Sequence, residues 1–253
     1  RFPAGDSIED GIKVKRFPVD SPRHILFKPL NVLLRNMPHT VGAERLWMRM
    51  QGPYSSELIK YVADHRDDYA AFIFVTYMYG TTYYCLPTVS EKSILVPTAH
   101  DEPYIRHAIF KDIFGSAGRV IYLTEEEKAF TDGLFSLDPR KGIVAGAPIT
   151  AGVPSAERFR SKYGVDGDFL LYAGRLDRFK GVHVLLDYFE RYRLENGDSL
   201  KLVLCGSGPM RVRKDEHVIL PGFIPSSDVY DAMAAALASI VPSKFESFSY
   251  SLL

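Results

Sequence analysis

Short, almost wholly apolar runs, separated by stretches long enough for a helix, constrain this chain more than any other feature. The first half contains Phe72-Ile73-Phe74-Val75, Ile94-Leu95-Val96-Pro97 and Arg119-Val120-Ile121-Tyr122-Leu123. The second half contains Phe169-Leu170-Leu171-Tyr172-Ala173, Leu202-Val203-Leu204-Cys205, Val218-Ile219-Leu220 and Ser239-Ile240-Val241-Pro242. A strand without polar alternation has no solvent face, so such runs belong to parallel sheets covered on both sides by helices. The intervening segments supply those helices. Thr40 to His65 is helical in pattern, broken at Gly52-Pro53 and restarted at Ser55-Ser56-Glu57. Tyr77 to Leu86 is an aromatic-rich helical stretch, and Pro103 to Phe114 reads as a helix with proline in its first turn. Thr124 followed by Glu127 is a capping-box signature for the helix carrying Lys128 to Leu134. Val182, Leu185, Leu186 and Phe189 fall on one helical face, and Ser226-Ser227-Asp228 opens an Ala-rich helix to about Ala238. Ahead of all this, Ile12 to Phe17 alternates like an edge strand closed by Pro18 and Pro22. The expected fold is α/β, with two doubly wound domains at 1–150 and 151–253 joined through the Gly-, Ala- and Pro-rich stretch between Ile143 and Asp168.

With 253 residues the chain can build two cores, and its 31 basic residues balance 31 acidic ones. That balance excludes a nucleic-acid polyanion as the main partner but leaves room for a local cationic site. Cys85 and Cys205 are the only cysteines, too few and too far apart for a disulfide framework or a CxxC pair, which points to a reducing, cytoplasmic setting. No run approaches the roughly 18 apolar residues of a membrane span. The chain starts at Arg1 and stops at Leu253 within an apolar pattern, so it is expected to be incomplete at both ends.

Four short segments carry candidate chemistry. Gly174-Arg175-Leu176-Asp177-Arg178-Phe179-Lys180-Gly181 lies between a strand and a helix, where open α/β sheets bind anions; Arg175 offers a planar fork and Lys180 a point charge, although the spacing departs from a P-loop and a solvated basic turn reads equally well. Gly206-Ser207-Gly208 is half of a dinucleotide fingerprint or simply a tight turn. Pro242-Ser243-Lys244-Phe245-Glu246-Ser247-Phe248-Ser249 follows the last strand; Glu246 there could accept hydrogen bonds from sugar hydroxyls, or be an ordinary surface carboxylate. His100-Asp101-Glu102-Pro103 stands just past a strand end, suited to hydrogen bonding or proton handling, or to capping the next helix. The seven histidines form no HExxH, and His100 and His107 lack a third ligand at metal spacing, so no metal is expected.

Taken together, Tyr172-Ala173-Gly174-Arg175, Lys180-Gly181, Cys205-Gly206-Ser207-Gly208-Pro209 and Pro242-Ser243 ahead of Glu246-Ser247-Phe248 resemble the retaining glycosyltransferases of family 4. In the first half, His100-Asp101 and Tyr122-Leu123-Thr124-Glu125-Glu126-Glu127-Lys128 are similar too. The resemblance implies the glycosyltransferase-B fold, two Rossmann-like domains facing a cleft. It also implies a nucleoside diphosphate sugar, UDP- or GDP-linked, as donor, and a saccharide or lipid-linked acceptor held mostly by the first domain. Arg175 and Lys180 match the pair that binds the donor diphosphate, and Glu246 the carboxylate that holds donor-sugar hydroxyls. Ser247, Phe248 and Ser249 match the stretch whose backbone approaches the phosphate, Phe223 and Ile224 the nucleobase contact, and His100 a residue beside the donor sugar. Gly206 and Ser207 complete the nucleotide site. The family transfers sugar with retention and without metal or other cofactor, commonly in polysaccharide synthesis. Two features depart from its pattern. Ser249 stands where a Gly is common, and the position of a second Glu falls just beyond Leu253.

A nucleotide-sugar epimerase of the same fold and a catalytically silent nucleotide-sugar-binding subunit are the alternatives. An epimerase needs further acid/base groups, for which only His100, Asp101 and Glu102 offer themselves. Intact Arg175, Lys180 and Glu246 argue against a silent subunit. Tyr77, Tyr79, Tyr83 and Tyr84 either stack on saccharide or pack a helix face. Arg35, Arg45 and Arg49 near Trp47 form a candidate contact with the cytosolic membrane face.

Overall fold

The computed structural model describes residues 3–148, 152–197 and 199–244. The chain divides into two compact units, Arg1–Ala147 and Pro148–Leu253. In the first unit, β1 (Gly5–Glu9) and β2 (Ile12–Arg16) form an antiparallel hairpin. Its turn places Asp10 at φ 49° and Gly11 at φ 80°, the handedness that matches strand twist. Helix α1 (Phe27–Asn36) follows, then α2 (Val41–Gln51), whose cap Thr40 accepts from the Ala43 N–H at 3.3 Å. Helix α3 (Ser56–Asp64) is capped by Ser55, which accepts from Leu58 N–H at 3.2 Å.

The parallel sheet of this unit comprises β3 (Phe72–Val75), β4 (Ser93–Val96), β5 (Arg119–Tyr122) and β6 (Gly142–Val144), side by side in that order. Between them run α4 (Gly80–Cys85), α5 (Ala108–Ser116) and α6 (Glu125–Phe135), with 3-10 turns at Leu86–Lys92 and Pro103–Arg106. The expected helix from Pro103 is thus split: His107, at ψ 134°, breaks it and becomes the cap of α5. The expected helix from Tyr77 is shorter as well, beginning only at Gly80.

One face of this sheet carries Leu95, Val120 and Tyr122, all buried against the helices with Trp47, Phe110 and Phe114. On the other face Ile73 is 66% exposed and Ile143 61% exposed. The register places Ile73, Ile94, Ile121 and Ile143 on that face. Strand β3 is therefore an apolar edge strand and not the buried strand its composition predicts.

The second unit holds α7 (Ala156–Tyr163), β7 (Phe169–Ala173), α8 (Val182–Asn196), β8 (Lys201–Cys205), β9 (Val218–Gly222), α9 (Ser226–Ala235) and β10 (Ala238–Ser239). Its parallel sheet runs in the order β10-β7-β8-β9. Here both faces are covered. Phe169, Leu171, Val203 and Cys205 pack with Phe159 of α7 and Ala232 of α9, whereas Tyr172, Leu202 and Leu204 pack with Val182, Leu185 and Phe189 of α8. Asp231 ties α9 to α7, accepting from Ser155 N–H at 2.7 Å and pairing with Arg158. The last strand lies upstream of its expected place. After Ile240 donates to Leu171 O at 2.7 Å, Pro242 has no N–H with which to extend the ladder.

Both cysteines are buried, and that burial raises the thiol of Cys85 to about 11 and that of Cys205 to about 12. At neutral pH each is an unreactive thiol behind packed side chains. Iodoacetamide at pH 7.5, followed by mass spectrometry, should leave both unlabelled in the folded chain and label both in guanidinium chloride.

Candidate functional site

The second sheet reverses its winding direction at β7. From β7 the chain crosses to β8 and β9 on one side, then returns through α9 to place β10 on the other. Such a switch point opens a crevice outside the carboxyl ends of the strands. The turns leaving β7, β8 and β9 line a cavity of about 720 Å3 there, and Arg175, Lys180, Gly206, Ser207, Phe223 and Ile224 all reach it.

The floor of this cavity is backbone packed on backbone. Gly174 N–H donates to Cys205 O at 2.9 Å, Leu176 N–H to Ser207 O at 3.1 Å, and Gly206 N–H to Gly222 O at 2.7 Å. A Cβ at Gly206 would stand 1.8 Å from Gly174 O, and its φ of 151° is one that other residues rarely adopt. Gly181, at φ 73°, caps α8, and a Cβ there would meet Pro242 O at 2.2 Å. These glycines are demanded by close approach, whatever binds above them.

One buried carboxylate holds the turn that carries both cations. Asp177, 8% exposed, lies 3.0 Å from Arg175 Nε through Oδ2 and accepts from Lys180 N–H through Oδ1 at 2.8 Å. The Tyr172 hydroxyl donates to Arg175 O at 2.8 Å, fixing the same turn from below. Arg175 nevertheless keeps 67% of its side chain exposed, so the guanidinium remains accessible beside the cavity. Phe223 is 84% exposed, whereas Ile224 is buried in the core between α7, α9 and the sheet.

His100 belongs to the first unit, in the loop after β4. Its ring lies 3.8 Å from Glu102 Oε2, and Tyr77 donates to Glu102 Oε1 at 2.6 Å. Burial, reinforced by the Glu102 charge, pushes the Tyr77 phenol far above its ordinary value, so Tyr77 stays a donor. The loop is anchored by Glu127. Its Oε1 accepts from Ala99 N–H at 2.5 Å and its Oε2 from Leu123 N–H at 2.8 Å. Thr124 caps α6 as expected, accepting from Glu127 N–H at 3.0 Å, but the glutamate does not return to the cap residue. At the ends of β3 and β4, Thr76 (φ 69°) and Thr98 (φ 52°) sit in the left-handed region with their hydroxyls 3.1 Å apart, a local strain of the kind found at binding loops.

The structure thus brings Arg175, Lys180, Gly206, Ser207, Phe223 and Ile224 to one cavity, and places His100 in the other unit. Glu246, Ser247, Phe248 and Ser249 lie outside the described residues. Of the aromatic cluster, Tyr77 is buried and Tyr79 is 49% exposed. Trp47 is core, 1% exposed, donating to Asn31 Oδ1 at 2.7 Å and stacked on Tyr104. Sequence reasoning gave no role to Asp177 and read Glu127 only as half of a capping box, since each acts on groups that only the folded turn brings within reach.

A crevice at the switch point of a parallel α/β sheet is where such sheets bind their ligands. Residues 155–253 match the family model described as Glycosyl transferases group 1. The fold is that of a solved glycosyltransferase-B structure. That structure is Anabaena Alr3699/HepE in complex with UDP and glucose, at a TM-score of 0.59 and 14% identity, covering 82% of this chain and 66% of that one. Another match is the catalytic domain of starch synthase IV from Arabidopsis thaliana bound to ADP and acarbose, at a TM-score of 0.47 and 15% identity, covering 82% of this chain and 61% of that one. The chain therefore spans slightly under two thirds of each. Among curated proteins no sequence match is found.

Gly206→Ala should force the β7 and β8 turns apart, a misfit expected to cost about 2 kcal/mol or more. Urea unfolding should show the midpoint falling accordingly, while an alanine at Gly152, which has open space around it, should leave it in place.

Proposed function

We propose that this chain carries the donor side, and part of the acceptor side, of a retaining glycosyltransferase. In this reading a sugar moves from a UDP- or GDP-sugar to a saccharide or lipid-linked acceptor, in polysaccharide or glycoconjugate synthesis, without metal. The observation that carries the reading is the pairing of Arg175 with Lys180 above the glycine floor at the switch point, in the segment that matches group 1 glycosyltransferases. Binding of UDP and glucose by HepE, which shares the fold, fits the same donor chemistry.

In this mechanism Arg175 and Lys180 grip the diphosphate and neutralise the charge that grows on it as the glycosidic bond breaks. The N-terminus of α8, next to Lys180, adds its dipole to the same end. The exposed ring of Phe223 stacks on the nucleobase, and Ile224 backs it from the core. Glu246 holds sugar hydroxyls, while the backbone of Ser247, Phe248 and Ser249 approaches the phosphate. His100 sits by the reacting sugar, its loop held by Glu127. The leaving phosphate oxygen takes the acceptor proton, so no glycosidase-type carboxylate pair is needed.

The first unit is the acceptor side and the second the nucleotide-sugar side. Contact with the cytosolic membrane face falls to the exposed sides of α1 and α2, since Trp47 is buried. Leu26, Val32, Leu33 and Leu46 are 56%, 61%, 48% and 52% exposed, with Arg35 and Arg45 exposed beside them. Among the described residues no helix is long and apolar enough to cross a membrane.

Arg175→Ala and Lys180→Ala should each weaken UDP or GDP binding roughly 10- to 100-fold, the worth of one charge-assisted contact. Calorimetry giving unchanged affinity in both variants would remove the site assignment. Glu246→Ala should keep nucleotide binding and lose turnover; conversion of the donor into an isomer, in place of transfer, would favour the epimerase. In flotation assays with anionic liposomes, Leu33→Glu with Leu46→Glu should abolish co-migration shown by the unaltered chain.

A further inference from the structure

Three ligand-type side chains converge in the first unit that the proposed transfer chemistry does not use. His39 lies just before the cap of α2, Glu44 in the first turn of α2, and His107 at the cap of α5. Their donor atoms lie within 4.8 Å of one another. His39 Nε2 is 3.2 Å from Glu44 Oε1, and His107 Nδ1 is 3.7 Å from the same oxygen. Zinc with N and O ligands at about 2.0–2.1 Å in a tetrahedron sets its donor atoms about 3.4 Å apart.

The hydrogen bonds around the cluster settle which atoms of His39 and Glu44 face inward. His39 Nδ1 lies 2.9 Å from Met37 O. A carbonyl only accepts, so Nδ1 carries the proton and Nε2 presents its lone pair towards Glu44. A carboxylate oxygen also offers only lone pairs. Two such atoms 3.2 Å apart converge on a positive centre between them, either a proton or a metal cation. His107 Nδ1, 3.7 Å from the same oxygen, stands where a metal would take a third donor and a shared proton would need none.

The outer contacts fit the same reading. Glu44 Oε2 accepts from Ile109 N–H at 3.1 Å, leaving Oε1 for the cation. An imidazole held by a backbone carbonyl and a carboxylate held by an amide are the usual supports behind metal ligands. Glu44 and His107 are 5% and 4% exposed, and the Trp47 ring lies 5.3 Å from that of His107. His39, the most open of the three, leaves a path for exchange and for a water as fourth ligand. Two imidazoles and one carboxylate suit zinc better than calcium or magnesium, which prefer all-oxygen sites.

We propose that His39, Glu44 and His107 form a zinc site that clips the segment entering α2 to the start of α5. The proposal is independent of the glycosyltransferase reading. Its test uses the full chain, stripped with EDTA and then equilibrated with Zn2+. Elemental analysis should find one Zn2+ retained per chain, Co2+ in its place should give the visible absorption of a tetrahedral site, and saturating Zn2+ should raise the thermal midpoint by roughly 5 °C. His39→Ala, which removes a ring at the surface and leaves the Glu44–Ile109 bond intact, should weaken Zn2+ binding at least about 100-fold with the circular dichroism spectrum unchanged. Should His39→Ala fail to fold, His39→Gln and His107→Asn serve in its place. Retention of less than about a tenth of an equivalent by the unaltered chain, or equal Zn2+ affinity in the unaltered chain and the folded variants, overturns the proposal.

Discussion

The backbone interlock between the turns that end β7, β8 and β9 is the constraint on which the rest of the second unit depends. Gly206 passes so close to Gly174 O that no side chain fits, and each turn donates to the next through Gly174, Leu176 and Gly206. Hydrogen bonds of this kind contribute only about 1 kcal/mol each, but together they leave the loops a single spacing. That spacing lets one carboxylate, Asp177, reach both Arg175 and the Lys180 backbone. The carboxylate balances the Arg175 charge and pins the backbone of Lys180 from within the same turn. The backbone that carries both cations is thereby held in one conformation.

Much of this was legible in the sequence because buried parallel strands leave unbroken apolar runs. Both parallel sheets were found for that reason, and α8 from the helical period of Val182, Leu185, Leu186 and Phe189. Elements that escaped did so for identifiable causes. Strand β6 has only three residues, and its Gly142 is dictated by the Tyr122 ring, since a Cβ there would lie 2.4 Å from that ring's Cε2. Helix α7 buries one residue, Phe159, which is too little to produce a period. The cations of the candidate site were visible as a strand-to-helix motif, whereas the carboxylate that holds their turn was not, since a loop aspartate has many equally ordinary fates. The His39, Glu44 and His107 cluster was invisible to spacing, because His107 is distant from the other two in sequence and meets them only when α2 packs near α5.

The first unit solves a different problem with the same means. Its loops after β4 and β5 and its helix start at α5 expose backbone N–H groups in places where neither strand nor helix can pair them. Two buried glutamates supply the acceptors. Glu127 takes Ala99 and Leu123, and Glu44 takes Ile109. Burial raises the Glu127 carboxyl above its usual range despite two amide donors that pull it down, so desolvation is the larger effect. Such a group persists because removing it would strand the amides it serves, at about 1–3 kcal/mol for each buried donor left unpaired. The consequence for function lies in the Ala99 contact. His100 is the next residue, so a helix-borne carboxylate fixes the backbone beside it. A rigid anchor one residue from a polar side chain is how a loop comes to hold that side chain to a fixed place while its own sequence stays short and polar.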